Sequence, residues 1–169
     1  MMRRAVFTGI GVVSPNGIGR ENFWKATREG ISGIRRISLF DASELGSQIA
    51  GQVPDFDESR YVRPKDLPHV SRVTPLAIAA VEEALGDAGI DPTLMTRDEL
   101  RRIAVIVGSG GGSQAFTEHQ YRLYYEGLQK QCSVYVVPTS TIGTLASEVS
   151  MRFGFRGFSH VVSTGCTSS

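Results

Sequence analysis

The last ten residues of the chain, HVVSTGCTSS from His160 to Ser169, hold the residue type and surroundings most suited to chemistry. A cysteine normally packs among apolar residues as a small, unreactive hydrophobe. Cys166 instead follows a β-branched run and is flanked by Gly165, Thr167 and Ser168. A cysteine on a sharp turn from a strand into a helix would meet the helix dipole and unpaired N–H groups, both of which favour a thiolate over a thiol. Small neighbours would leave room for a substrate carbonyl and for a backbone amide as oxyanion donor. Spacing alone leaves two readings open, a nucleophile and a packed structural cysteine.

Other candidates are weaker. GSGGGS, residues 108 to 113, follows an apolar run and could present N–H groups to an anion, yet it lacks the lysine and Ser/Thr of a phosphate-binding loop. A tight turn and a backbone wall beside a substrate pocket are its two readings. TGIGVVS near the start would need glycine where Ser14 stands to make a dinucleotide fingerprint, and Pro15 spoils the helix that must follow. His69, His119 and His160 lie far apart, with no i,i+4 pair and no adjacent cysteine spacing, so no metal site is expected and each reads as a surface or packing residue. Cys132, beside Gln131 and Ser133, receives no role.

The elements that must position Cys166 follow from periodicity. Arg4 to Val13 reads as a first strand ended by the turn residues of SPNG, and Asn22 to Glu29 as a short helix before Gly30. A loop-rich stretch runs from Ile31 to Pro68, with one strand near Gln48 to Val53. The strongest helix signal places Val73, Leu76, Ala77, Ala80, Val81, Ala84, Leu85 and Ala88 on one face. Thr74 and Pro75 suit its start, with Ser71 as an earlier option, and Gly89 and Pro92 its stop. Ile103 to Val107 resembles a strand buried on both faces of a parallel sheet and opens into the glycines. A helix is predicted from about Ser113 to Gly127, and another from a Thr139 or Ser140 cap to Phe153 with Gly154 as stop. The final strand covers about Ser159 to Ser163. Alternating strands and helices predict an α/β fold with a mixed, largely parallel sheet. Because the chain stops at Ser169, where such a fold next places a helix, the functional polypeptide is expected to continue or to be completed by a companion chain.

Composition narrows the classes. At 169 residues the chain has length for a real core, and 41% hydrophobic and 21% charged residues are ordinary for a folded domain. Eighteen Lys and Arg against 17 Asp and Glu leave a net charge of +1, and pairs such as Arg3-Arg4, Arg35-Arg36 and Arg101-Arg102 lack interleaved aromatics. No nucleic-acid partner is expected. No run approaches the roughly 18 apolar residues of a membrane span, and glycines interrupt the apolar stretch after Met1 that imitates a signal peptide. Two sparse cysteines read as thiols of a reducing cytosol, so a cytoplasmic protein is expected.

VFTGIGVVSPNG, SRVTPLAIAAVEEALGDAGI, IAVIVGSGGG, VVPTSTIGTLASEVSMRFGFRG and STGCTSS occur in the order seen in β-ketoacyl-acyl-carrier-protein synthases, and the chain resembles their N-terminal half over residues 1–169. It is similar to the elongating ketosynthases of type II fatty acid and polyketide synthesis. The resemblance implies the first half of a thiolase-like layered fold, with Cys166 as the acyl-accepting nucleophile and Gly111, Val137 and Thr167 near substrate. It implies a decarboxylating Claisen condensation with malonyl-acyl carrier protein, giving β-ketoacyl carrier protein. No metal or other cofactor is implied, substrates being carried on the phosphopantetheine of acyl carrier protein. The implied partners are that carrier and a second copy, with Val134 to Gly143 near the dimer interface. The catalytic histidines of such enzymes belong to the half that has no counterpart in this sequence. Phe158 stands where the family usually has proline, and Gly165 where alanine is frequent. Relatives often carry a bulky aliphatic near the place of Gly111, so its absence implies a roomier acyl pocket, against the simpler reading of a turn glycine at positive φ. A non-decarboxylating acyltransferase of the same fold and a non-catalytic partner subunit are the alternatives, and the presence of Cys166 argues against the second.

Overall fold

The computed structural model describes residues 4–168, so Arg3 of the first arginine pair and Ser169 lie outside the described residues. The chain forms two compact units, residues 1–57 with 79–90, and residues 58–78 with 91–169.

In the first unit β1 (Val13–Ser14) pairs antiparallel with β2 (Gly17–Ile18) around a two-residue Pro15-Asn16 turn, as the SPNG signal implies. Helix α1 (Arg20–Arg28) follows Gly19, whose φ of 85° only glycine adopts readily. β3 (Ile34–Arg36) pairs antiparallel with β4 (Ile49–Gly51), which is the strand expected near Gln48.

The first strand is shorter than Arg4 to Val13. Its ladder is confined to Val13 and Ser14, because the preceding residues satisfy their amides on a helix instead. That helix is α2 (Val73–Ala88), whose residues from Ala79 onward belong to this unit. Ile10 N–H donates to Asp87 Oδ2 at 3.0 Å and Val12 N–H to Glu83 Oε2 at 2.8 Å. Gly9 lies against Ala84 and Ala88, and Gly11 against Ala80 and Ala84, so close that neither has room for a Cβ. The spacings match: two extended residues advance about 6.7 Å and four helical ones about 6 Å, so each glycine meets the next alanine. The predicted apolar face of α2 is thus partly a track for glycine backbone. Its buried residues are different ones, Thr74, Pro75, Ile78 and Ala79, with Ser71 buried just ahead of the helix. The helix stops at Gly89, at φ 66°.

In the second unit, α3 (Arg97–Leu100) opens with a capping box in which Thr96 and Glu99 exchange side-chain-to-backbone hydrogen bonds. β5 (Val105–Gly108) pairs in parallel with β6 (Ser159–Val162), in register from Val105 opposite Ser159 to Gly108 opposite Val162. Parallel pairing among the described residues is this pair, the other two ladders being antiparallel. β5 is not buried on both faces: Val105 is buried and Ile106 is 67% exposed, the alternation of a strand with one covered face. Helix α4 (Gln114–Tyr125) is close to its predicted span.

The single helix predicted after Thr139 is two, α5 (Val136–Ser140) and α6 (Thr144–Phe153). Thr141 is extended at ψ 127°, and the hydroxyls of Thr141 and Thr144 take the carbonyls of Val137 and Pro138 that a continuing helix would have used. α6 ends at Gly154 in the left-handed region, as predicted, and buries Leu145, Ala146 and Val149. The α/β class expected from the sequence holds.

Candidate active site

β5 and β6 end side by side, and Ser109 N–H donates to the Val162 carbonyl at 3.0 Å, carrying the pairing one residue past the ladder. The two loops that leave the strands therefore start together. One is the glycine run and the other the cysteine turn, and they touch: a Cβ on Gly110 would stand 3.5 Å from the Gly165 carbonyl oxygen.

Gly165 has φ 67° and starts a three-residue 3-10 turn, Gly165–Thr167. Hydroxyls hold this turn. Ser168 Oγ donates to the Gly165 carbonyl at 2.7 Å and accepts the Thr164 amide at 3.0 Å. Thr167 Oγ1 donates to the Thr164 carbonyl at 2.9 Å, so its hydroxyl is engaged within the turn. Cys166 sits at the centre of this frame, exposed and with a free thiol. Its backbone N–H donates to no carbonyl among the described residues.

Gly111, one residue past the Gly110 that lies against Gly165, lines an open groove of about 430 Å³ with Ser113, Gln114, Thr117, Tyr121 and Ser140. Its φ is not positive; the left-handed residue of the run is Gly112, at 60°. The turn reading of Gly111 therefore passes to its neighbour. The atoms nearest to a Cβ on Gly111 would be those of the Gln114 carboxamide, at 3.3 to 3.4 Å. Sequence reasoning missed Gln114, Thr117 and Ser140. The signal available was position alone, in the first turn after the glycine run and at the end of α5. Val137 lies on α5, 75% exposed, with its carbonyl bonded to the Thr141 hydroxyl.

The histidines take structural positions. His69 Nδ1 lies 2.9 Å from Ser133 Oγ, and the ring meets Tyr135 edge-on. His160 stacks on Phe158, and His119 is exposed on α4. Cys132 is half-buried with Sγ 3.8 Å from the Gln120 carbonyl. Among the described residues no three His, Cys, Asp or Glu side chains are grouped to hold a metal, and no helix is long and apolar enough to cross a membrane. A larger cavity of about 1020 Å³ lies elsewhere in the second unit, walled by His69, Tyr135, Thr139 and Glu148 among others. Burial pushes the Glu148 carboxyl above its ordinary value.

A cysteine turn and a glycine run leave the ends of the parallel strands, and nearly the whole chain matches one family. Residues 2–169 match the model of the beta-ketoacyl synthase N-terminal domain, and the chain belongs to that family. It is 36% identical to 3-oxoacyl-[acyl-carrier-protein] synthase 2 of Vibrio harveyi, over 98% of this chain and 39% of that protein. It is 37% identical to the tetracenomycin polyketide synthase ketoacyl synthase alpha subunit of Streptomyces glaucescens, over 98% of this chain and 40% of that protein. Among solved structures, the ishigamide ketosynthase/chain length factor superposes with a TM-score of 0.75 at 30% identity, covering 94% of this chain and 39% of that one. The chain thus spans about two fifths of the length of the relatives it matches.

Proposed function

We propose that this chain carries the acyl-accepting half of a β-ketoacyl-acyl carrier protein synthase. The observation that carries the reading is the exposed Cys166 thiol on a hydroxyl-braced turn, set against the glycine run whose next residue opens the groove. The Cys166 sulfur attacks the thioester carbonyl of an acyl chain on phosphopantetheine. A new S–C bond forms, and the carrier thiol leaves with a proton. The free N–H of Cys166 is placed on the attacking residue itself, as a donor to the oxyanion that develops. Malonyl carrier protein then loses carbon dioxide, and the resulting carbanion equivalent attacks the Cys166 thioester. The cysteine sulfur leaves and β-ketoacyl carrier protein is formed. The acid and base groups of the decarboxylation are assigned to residues outside this sequence, since His69, His119 and His160 hold packing or surface positions.

The partners in this reading are acyl carrier protein, the remainder of the synthase and a second copy of the protein. Val134 and Val137 are 83% and 75% exposed, which suits an interface along residues 134–143. Both cysteines are free thiols, in keeping with a reducing cytosol.

Incubation of the full-length protein with labelled acyl carrier protein, followed by peptide mapping, tests the assignment. Label on Cys166, absent from Cys132 and abolished by Cys166→Ala with unchanged melting, is the expected result; label on Cys132 would overturn it.

A further inference from the structure

Gly111 leaves a side-chain position empty, and the structure shows what occupies it. Gln114, in the first turn of α4, folds back so that Cδ, Nε2 and Oε1 lie 3.3, 3.3 and 3.4 Å from the point where a Cβ on Gly111 would be. Its carboxamide makes no hydrogen bond among the described residues, although it carries two donor hydrogens and an acceptor oxygen. Nearby polar groups of the groove are engaged. Thr117 Oγ1 lies 3.1 Å from the Ser113 carbonyl and 2.9 Å from Ser140 Oγ, and Glu118 pairs with Arg122 at 3.2 Å. Gln114 thus brings an unengaged amide to the wall of the groove that opens at Gly111, one residue past the Gly110 that lies against Gly165.

A saturated chain laid over that amide would strip its water and return no hydrogen bond, which is unfavourable. A chain with a carbonyl or hydroxyl oxygen at that depth would replace the lost water with a direct bond. We propose that Gln114 is a specificity-determining residue of the acyl groove, selecting oxygen-bearing acyl chains over saturated chains of the same length. This inference rests on the acyl-transfer reading of Cys166. It concerns which chain is taken and leaves the chemistry of transfer unaltered.

The test compares Cys166 acylation in the full-length protein by three thioesters of one length: saturated, mid-chain ketone and mid-chain hydroxyl. The unsubstituted protein favours both oxygenated chains. Gln114→Leu, similar in shape but without polar atoms, lowers both preferences about tenfold, equivalent to about 1.4 kcal/mol. Gln114→Glu gives the result that a merely structural residue would not: it keeps the preference for the hydroxyl chain, which can donate to the carboxylate, and loses that for the ketone, which only accepts. Preferences unchanged in Gln114→Leu while Cys166 is still acylated would overturn the role of Gln114 and leave the proposed condensation standing. Absence of Cys166 acylation by every chain in the unsubstituted protein would overturn both.

Discussion

Glu83 Oε2 accepts the amide of Val12 at 2.8 Å, and Oε1 of the same carboxylate accepts the amide of Arg20 at 2.8 Å. One side chain of α2 thus fixes both the extended N-terminal segment and the entry to α1. Removing it leaves two partly buried N–H groups without partners. Glu83→Ala is expected to cost about 1–3 kcal/mol, and Glu83→Gln, which keeps one acceptor oxygen, about half as much, read from denaturant unfolding of the full-length protein.

Gly11 and Gly86 predict opposite outcomes for one substitution. A Cβ on Gly11 would run into the backbone of Ala80, whereas one on Gly86, in the interior of α2, meets nothing within 4 Å. Gly11→Ala is expected to destabilise by more than about 3 kcal/mol, since neither backbone can give way. Gly86→Ala is expected to stabilise by about 0.5–1 kcal/mol through helix propensity. Thermal melts of the pair decide it, and a stable Gly11→Ala protein would contradict the close packing.

Within the glycine run the two neighbours separate in the same way. Gly112, at φ 60°, and Gly165, at φ 67°, are each expected to lose about 1–2 kcal/mol on substitution by alanine. Gly111→Ala is expected to change stability by less than about 0.5 kcal/mol, because Gln114 is the free end of an exposed side chain. Its effect falls on acylation selectivity, as it displaces that carboxamide. Equal losses of stability at 111 and 112 would place the constraint on both residues.

Glu148 gives the pH dependence. Burial raises its carboxyl above the ordinary 4.5, so the folded protein holds this proton more tightly than the unfolded chain. The unfavourable contribution is absent below pH 4.5, grows as pH rises through that value and is complete above the raised value. Glu148→Gln is accordingly expected to be the more stable protein at pH 7. The gain stays under about 1 kcal/mol because solvent still screens the half-exposed group. The advantage should disappear in acid. A difference that grew on acidification would reverse the sign.

Local chemistry made part of this protein legible without a structure. The turn at Pro15-Asn16, the stops at Gly89 and Gly154, and the strands around Val105 and His160 were all carried by residues whose backbone preferences act over a few positions. Cys166 stood out for the same reason, a thiol among small polar residues at a strand end. What the residues from Arg4 to Val13 do was not local. Their β-branched pattern reads as a long strand, yet Glu83 and Asp87, some seventy residues later, supply the acceptors that a neighbouring strand would have supplied. The break between α5 and α6 was likewise decided by competition between the Thr141 and Thr144 hydroxyls and the helix for the same carbonyls, which periodicity does not register. Most consequential for the site, the family resemblance pointed to Gly111, and only the fold of α4 could show that the Gln114 carboxamide lies against it. A side chain's direction depends on the three-dimensional path of the backbone that carries it, and no spacing along the chain records that path.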